Sequence, residues 1–334
     1  MGLLVDGIWT DDSPDRAQTP TGRFRRPTTK FRNWITFDGS PGPSGEGGFV
    51  AEPDRYHLYV SLACPWAHRT IIFRHLKRLE QLISMSTVSW HMGETGWTFD
   101  TEEGSSGDPV NNARRLSEIY VLSEPKHTGR VTVPVLWDKK RKRIVSNESS
   151  EIIRMFNSSF ANLTNEQTDY CPADLREALE AVNELVYQYI NNGVYRAGFA
   201  TAQEAYEEAC RGLFGALDEL EQRLSLNRFL LGDRMTEADW RLFPTLVRFD
   251  VVYYSHFKCN LRRIADYPNL SNYMRDLYQL PGVDATVNFD HIKKHYYGSQ
   301  RRVNPTGIWP LGPAVGYHHS HDRNRFKRSP AEGL

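Results

Sequence analysis

Residues 56–79 read YHLYVSLACPWAHRTIIFRHLKRL, and the place of Cys64 in that run decides how the rest of the chain is read. Residues 56–63 have the composition of a strand, with charged residues before them and Cys-Pro after. Pro65 opens a helix over 65–79. Proline suits a first turn because its missing N–H would find no intrahelical partner there. Trp66, Ile71, Ile72, His75, Leu76 and Leu79 form an approximate helical stripe. Residues 82–90 predict a second strand, parallel to the first in a βαβ unit. A cysteine between strand and helix lies against unpaired backbone N–H groups and the positive end of the helix dipole. That position favours thiolate over thiol and makes the sulfur a nucleophile near neutral pH. The other reading, a small buried hydrophobe, gives no reason for strand, cysteine, proline and helix to coincide. Ala67 stands where a dithiol oxidoreductase would place its second cysteine. A mixed disulfide at Cys64 therefore needs an external thiol to resolve it.

Beyond this unit, residues 91–110 (HMGETGWTFDTEEGSSGDPV) form a polar loop around Trp97, and loops of that length are often functional. A helix is expected over 111–123. Val133-Pro134-Val135-Leu136-Trp137, the charged turn DKKRKR and Ile144-Val145-Ser146 give a hairpin, and a helix runs from Glu148 to Phe156. The order β-α-β, α, β-β-α predicts a thioredoxin-like α/β domain over 55–160. Residues 1–54, rich in Gly, Pro, Ser and Thr, are an irregular extension with one or two short strands. From 173 to 311 the pattern is all-α. Leu179, Val182, Leu185, Val186, Tyr189 and Ile190 share one face, and Leu213, Ala216, Leu217, Leu220 and Leu224 another. Thr236-Glu237-Ala238-Asp239 is a capping box before a further helix, and Pro268 starts another. Residues 312–334 are expected to be a loosely held tail.

A chain of 334 residues has room for two domains. Lysine plus arginine equals aspartate plus glutamate, 41 each, so no global field favours nucleic acid or an anionic membrane. No run approaches ~18 apolar residues. The start, MGLLVDGIWTDDSPDR, reaches acids before any apolar stretch, so a signal peptide is not expected, and Asp6 speaks against myristoylation. Cys64, Cys171, Cys210 and Cys259 share no metal-ligand or redox spacing. The last three read as structural, and a cytoplasmic, reducing setting is expected. KKRKR at 139–143 reads as a solvated hairpin turn. His291 and His295 lack a third ligand, His318, His319 and His321 lie in the tail, and no metal is expected.

Cys64-Pro65-Trp66-Ala67-His68-Arg69 resembles the active-site opening of omega-like glutathione transferases. More narrowly, the chain resembles the glutathionyl-hydroquinone reductases, the Xi class of that superfamily. The segments that carry the likeness are Gly93 to Trp97, Val133-Pro134-Val135, Asn147-Glu148-Ser149-Ser150-Glu151, the run from Asn191 to Ala200, and Gly232-Asp233 with the capping box. The resemblance covers nearly the whole chain, roughly residues 30–312. The resemblance implies a thioredoxin-like N-terminal domain with a glutathione-transferase helical domain, a homodimer, and glutathione as co-substrate. Val133 would then pair through its backbone with the cysteinyl amide of glutathione, like an added strand. The resemblance also implies a cis peptide before Pro134. Glu148 would take the γ-glutamyl ammonium and Ser149, at a helix start, the carboxylate. Ordinary helix capping explains the same two residues on local pattern alone. Trp97 and Arg130 follow as glutathione contacts from the resemblance only.

Tyr195 follows Gly193 at a helix interruption, where a ring can leave the core. Tyr253 follows Asp250, and Tyr296 follows His295. Phenols suit an aromatic substrate because they stack and donate O–H, although on pattern alone core or interface packing is the favoured account of each. By resemblance, Tyr195 transfers the proton to a quinol ring carbon, while Tyr253 and Tyr296 stabilise the thiolate. The expected activity is glutathione-dependent reduction of glutathionyl-hydroquinones. The alternatives are an omega-like thioltransferase or dehydroascorbate reductase, and a non-catalytic binding module.

Overall fold

The sheet that carries Cys64 grows from the predicted βαβ unit. In the computed structural model, which describes residues 2–10 and 19–326, strand β3 (Tyr56–Val60) leads through helix α1 (Pro65–Leu76) to β4 (Ile83–Thr87), parallel to it. Strands β8 (Val135–Asp138) and β9 (Arg143–Ser146) then add antiparallel, giving the order β4-β3-β8-β9. Every residue of β3 is buried, as a central strand covered on both faces requires. Helices α1 and α3 (Ser149–Ser158) pack together. Helix α2 (Leu116–Ser123) packs against β9.

Helix α2 starts five residues later than the pattern predicts, for a local reason. The Asp108 carboxylate accepts from the N–H groups of Val110 (3.1 Å), Asn111 (3.3 Å) and Ala113 (3.0 Å), which holds residues 108–113 in a turn that competes with helix. The polar loop carries its own two-stranded hairpin, β5 (Met92–Gly93) with β6 (Gly96–Trp97). The basic run at 139–143 is a hairpin turn, and four of its five charges are met by acids: Lys139 by Asp54, Lys140 by Glu52, and Arg141 and Arg143 by Glu46.

The N-terminal extension is laid along this domain. Strands β1 (Leu3–Val5) and β2 (Ile8–Thr10) pair, and β1 also pairs with β7 (Gly129–Arg130). Residues 31–33 run antiparallel beside β9. Phe31 and Asn147 exchange hydrogen bonds through the Asn147 side chain and backbone (3.3 and 3.2 Å), and the Asn33 N–H donates to the Val145 carbonyl (3.0 Å). The open edge of the sheet is thereby covered.

By compactness the chain divides into two units: residues 1–169 with 286–310, and residues 170–285 with 311–334. Helix α9 (Phe289–Ser299), inside the expected helical span 173–311, groups with the first unit. His295 Nδ1 meets the Trp90 carbonyl at 2.9 Å, and the Met92 N–H donates to Ser299 Oγ at 3.0 Å.

The second unit contains α4 (Arg176–Leu185), a π-helical segment (Val186–Asn191), α5 (Gly193–Gly198), α6 (Gln203–Leu226), α7 (Glu237–Arg248) followed by a π-helical turn (Phe249–Tyr253), and α8 (Pro268–Tyr278). The described part of the tail makes specific contacts within the second unit. Tyr317 is buried and donates to the Val247 carbonyl at 3.2 Å. Arg323 is fully buried and donates to the carbonyls of Leu224 (2.9 Å), Asn227 and Arg228 (3.1 Å). One guanidinium closing three C-terminal carbonyls of α6 and its exit satisfies the groups that a helix end leaves open. Residues 327–334 of the expected tail lie outside the described residues. No described helix is long and apolar enough to cross a membrane.

Candidate active site

Cys64 is the N-cap of α1, with extended backbone (φ −77°, ψ 122°), Pro65 in the first turn and no acidic residue there. A sulfur so placed meets the helix dipole with no carboxylate in that turn opposing it. It is half-buried and not disulfide-bonded. The ring of Trp66, two residues on, carries the guanidinium groups of Arg26 at 4.7 Å and Arg69 at 4.6 Å from its centroid. Ala67, in the second-cysteine position, is fully buried. Cys171, Cys210 and Cys259 all lie in the second unit and are buried. Burial pushes the Cys210 thiol up and the Cys259 thiol well up, so both are poor nucleophiles.

Cys64 Sγ lies 3.7 Å from the carbonyl oxygen of Val133. The Val133–Pro134 peptide bond is cis. Among the described residues the Val133 N–H has no protein acceptor. This short edge before β8 can therefore pair with an extended peptide lying beside the sulfur.

Glu148 is the N-cap of α3. Its Oε1 accepts from the N–H (3.1 Å) and hydroxyl (2.8 Å) of Ser150, and its Oε2 accepts from the Thr29 hydroxyl (3.0 Å). Burial alone would raise this carboxyl. The two Ser150 donors, Thr29 and the charge of Arg69 outweigh burial and hold it below its ordinary value. Ser149 is buried at the first helical position, and no described acceptor takes its N–H. A helix start with an unused amide can receive an anion, and the carboxylate beside it a cation.

One buried phenol ties these two segments together. The Tyr120 hydroxyl donates to the Thr132 carbonyl (2.8 Å) and accepts from the Thr132 N–H (3.2 Å) and Asn147 Nδ2 (3.1 Å). Thr132 precedes Val133 and Asn147 precedes Glu148. Sequence reading missed Tyr120 because nothing local distinguishes it from a core aromatic in an apolar helix.

Trp97 is buried at the end of β6 and stacks on His295 (4.8 Å between centroids, 24°). His295, considered in the sequence only as half of a metal pair, instead anchors this hairpin. Tyr296 is its neighbour in α9 and is buried in the same unit. Trp9 of β2 packs on the other part of the hairpin. Its Nε1 donates to the Glu94 carbonyl at 2.9 Å, and its ring lies where a side chain at Gly96 (φ +76°) would have to go. Arg130 sits on β7 opposite Leu3.

In the second unit, Tyr195 and Tyr253 are brought together. Both are buried, their ring centroids lie 6.1 Å apart, and Phe257 packs against both at 5.6 and 5.5 Å. The helix interruption before Tyr195 has a physical cause. Asn191 Nδ2 donates to the Arg241 carbonyl (3.1 Å) and Thr245 Oγ1 (2.8 Å), which holds the widened turn against α7. Tyr253 ends the second π-helical turn, and such turns often mark functional positions. Among the described residues, no group of three or more His, Cys, Asp or Glu side chains is placed to share a metal ion.

Two family models match the chain: Glutathione S-transferase, N-terminal domain, over residues 63–159, and Glutathione S-transferase, C-terminal domain, over residues 203–276. The chain is 54% identical over 325 residues to glutathionyl-hydroquinone reductase YqjG of Escherichia coli, covering 97% of this chain and 99% of that protein. It is 52% identical over 314 residues to glutathionyl-hydroquinone reductase PcpF of Sphingobium chlorophenolicum, covering 94% and 97%. The glutathione-bound structure of YqjG superposes with a TM-score of 0.90 over 97% of this chain and 99% of that one. A Xi class GST from Natrialba magadii superposes with 0.89 at 46% identity, over 98% and 97%. The chain belongs to the Xi class of the glutathione S-transferases, the family of the glutathionyl-hydroquinone reductases.

Proposed function

We propose that this protein reduces glutathionyl-hydroquinones to hydroquinones at the expense of glutathione, with Cys64 as the nucleophile. The observation that carries the reading is the sulfur at the mouth of α1, 3.7 Å from the backbone of Val133. A glutathione whose cysteinyl amide pairs with Val133 brings its own sulfur next to Cys64. Glu148 then takes the γ-glutamyl ammonium, the Ser149 N–H the adjoining carboxylate, and Trp97 and Arg130 complete the grip. Tyr253 and Tyr296 donate to the thiolate.

In the first step the Cys64 thiolate attacks the sulfur of the thioether. The sulfur–ring carbon bond breaks, and its electron pair goes to the ring carbon, which gains a proton through Tyr195 by way of a keto tautomer. Hydroquinone leaves, and Cys64 carries glutathione as a mixed disulfide. A second glutathione thiolate attacks that disulfide, giving oxidised glutathione and the Cys64 thiolate. Two half-reactions with a covalent enzyme intermediate require ping-pong kinetics. No second cysteine in the same unit competes for the mixed disulfide. The protein acts in this reading as a cytoplasmic homodimer, with glutathione as co-substrate and no metal.

The test is turnover of a glutathionyl-hydroquinone with glutathione by the wild type, Cys64→Ser and Tyr195→Phe. Cys64→Ser should lose turnover. Tyr195→Phe should slow hydroquinone release roughly 100-fold or more while leaving reduction of a simple mixed disulfide near normal. Equal losses on both substrates would point to a general thioltransferase. Retained turnover in Cys64→Ser would refute the mechanism.

A further inference from the structure

We propose that Thr29, a residue of the N-terminal extension, is a positioning residue of the glutathione site that sets the carboxylate of Glu148. The proposal rests on the reading of Glu148 as the partner of the γ-glutamyl ammonium.

A carboxylate has about four lone-pair directions. Among the described residues, donors fill three of them at Glu148: two at Oε1, both from Ser150, and one at Oε2, from the Thr29 hydroxyl at 3.0 Å. One direction on Oε2 is left for an incoming cation. The Ser150 donors belong to the helix that Glu148 caps and hold Oε1 alone. Thr29 is the donor that fixes the second oxygen, and with it the plane of the group. Thr29 is held in place by the antiparallel run beside β9, where Phe31 and Asn147 exchange hydrogen bonds immediately before Glu148. The neighbouring Arg32 pairs with Glu151 in the first turn of α3.

The same extension reaches other parts of the site. β1 pairs with the strand that carries Arg130, Trp9 packs on the Trp97 hairpin, and Arg26 lies over Trp66. A cover that only shielded a sheet edge would have no need of a donor aimed at an ionised, half-buried carboxylate. The charged groups that bear on that carboxylate are Arg69 from α1 and Arg32 from the extension, the latter itself paired with Glu151 of α3. Thr29 adds a neutral donor to this set. Its loss should weaken the preference for the ionised form without changing net charge.

The experiment compares Thr29→Val, Thr29→Ser and Glu148→Gln by calorimetric titration with reduced glutathione, with the thermal midpoint and the acid limb of kcat/KM recorded for each. Thr29→Val should weaken glutathione roughly 3- to 10-fold, since the lost hydrogen bond is to a charged group. It should raise KM for glutathione with little change in kcat, and move the acid limb upward in pH. Thr29→Ser, which keeps the hydroxyl and loses only the methyl, should bind within about twofold of wild type. Wild-type affinity in Thr29→Val beside a weakened Glu148→Gln would overturn the role of Thr29 and leave the site reading standing. Equal losses in Thr29→Val and Thr29→Ser would overturn it too, because packing rather than the hydroxyl would then be responsible. Wild-type affinity in Glu148→Gln would remove the glutathione reading of Glu148, and Thr29's role with it.

Discussion

Two helices of this chain begin with an acidic side chain turned back on its own first turn, and their carboxyls titrate in opposite directions. Glu148, at the start of α3, is held below its ordinary value, although burial acts to raise it. Asp239, in the first turn of α7, is fully buried and raised, because burial outweighs its donors. Those donors are the N–H of Thr236 (2.8 Å), the N–H of Leu230 (2.9 Å) and the hydroxyls of Tyr273 (2.8 Å) and Thr236 (3.2 Å). They join the preceding turn, the helix start and α8 into one sealed knot with nothing left for a ligand. Glu148 has Arg69 nearby, an unfilled lone pair, and the unused amide of Ser149 beside it. A capping pattern can serve as a binding site, as proposed for Glu148, when its hydrogen-bonding capacity is left incomplete and open. It remains structural when that capacity is closed.

The contrast can be broken most forcefully at Asp239. Asp239→Ala leaves the Leu230 and Thr236 N–H groups and the Tyr273 hydroxyl buried without their acceptor, which should cost about 3–5 kcal/mol in urea unfolding. Its affinity for glutathione, measured on the folded fraction, should stay at the wild-type value. Glu148→Gln should do the reverse. Stability should move by less than about 1 kcal/mol while glutathione binding weakens roughly 30- to 100-fold, as expected for a lost charge-assisted pair.

The pH dependence of stability sharpens the same distinction. A depressed folded pKa means that Glu148 stabilises the fold above its ordinary value near 4.5, and that this contribution is lost as pH falls through the lower, folded value. A raised folded pKa means that native Asp239 binds a proton the unfolded chain has released. Its contribution to stability therefore falls as pH rises from 3.8 through the folded value. Chemical unfolding across that range should show Glu148→Gln flattening the acid side, and Asp239→Asn flattening the region above it. The smallest expected effect is at Tyr120. Tyr120→Phe should raise KM for glutathione roughly 2- to 10-fold, because it frees the segments before Val133 and Glu148 from each other.

Much of this was legible in the sequence. The βαβ unit around Cys64, the hairpin before Asn147 and the helical second half all follow from periodicity and from proline placement, which act over a few residues. The helix start at Leu116 was not legible, because the side chain of Asp108 organises the turn before it. The order in the tail was hidden as well: Arg323 is fixed by carbonyls about a hundred positions away. At the site, Glu148 and Ser149 could be named, but whether they cap or bind depends on Thr29 and Arg69, which sequence distance conceals. Helix α9 is joined to the first unit by contacts of His295 with Trp90 and Trp97 and of Ser299 with Met92, between residues about two hundred positions apart.

The central claim is that the Cys64 sulfur, poised at a helix mouth beside Val133, accepts a glutathionyl group from the substrate. Mass spectrometry of the protein quenched after mixing with glutathionyl-hydroquinone, in the absence of added glutathione, measures this directly. One glutathionyl group per chain is expected, located on the peptide containing Cys64, formed in step with hydroquinone and removed when glutathione is supplied. Hydroquinone released with Cys64 unmodified, or with the adduct on Cys171, Cys210 or Cys259, would contradict it.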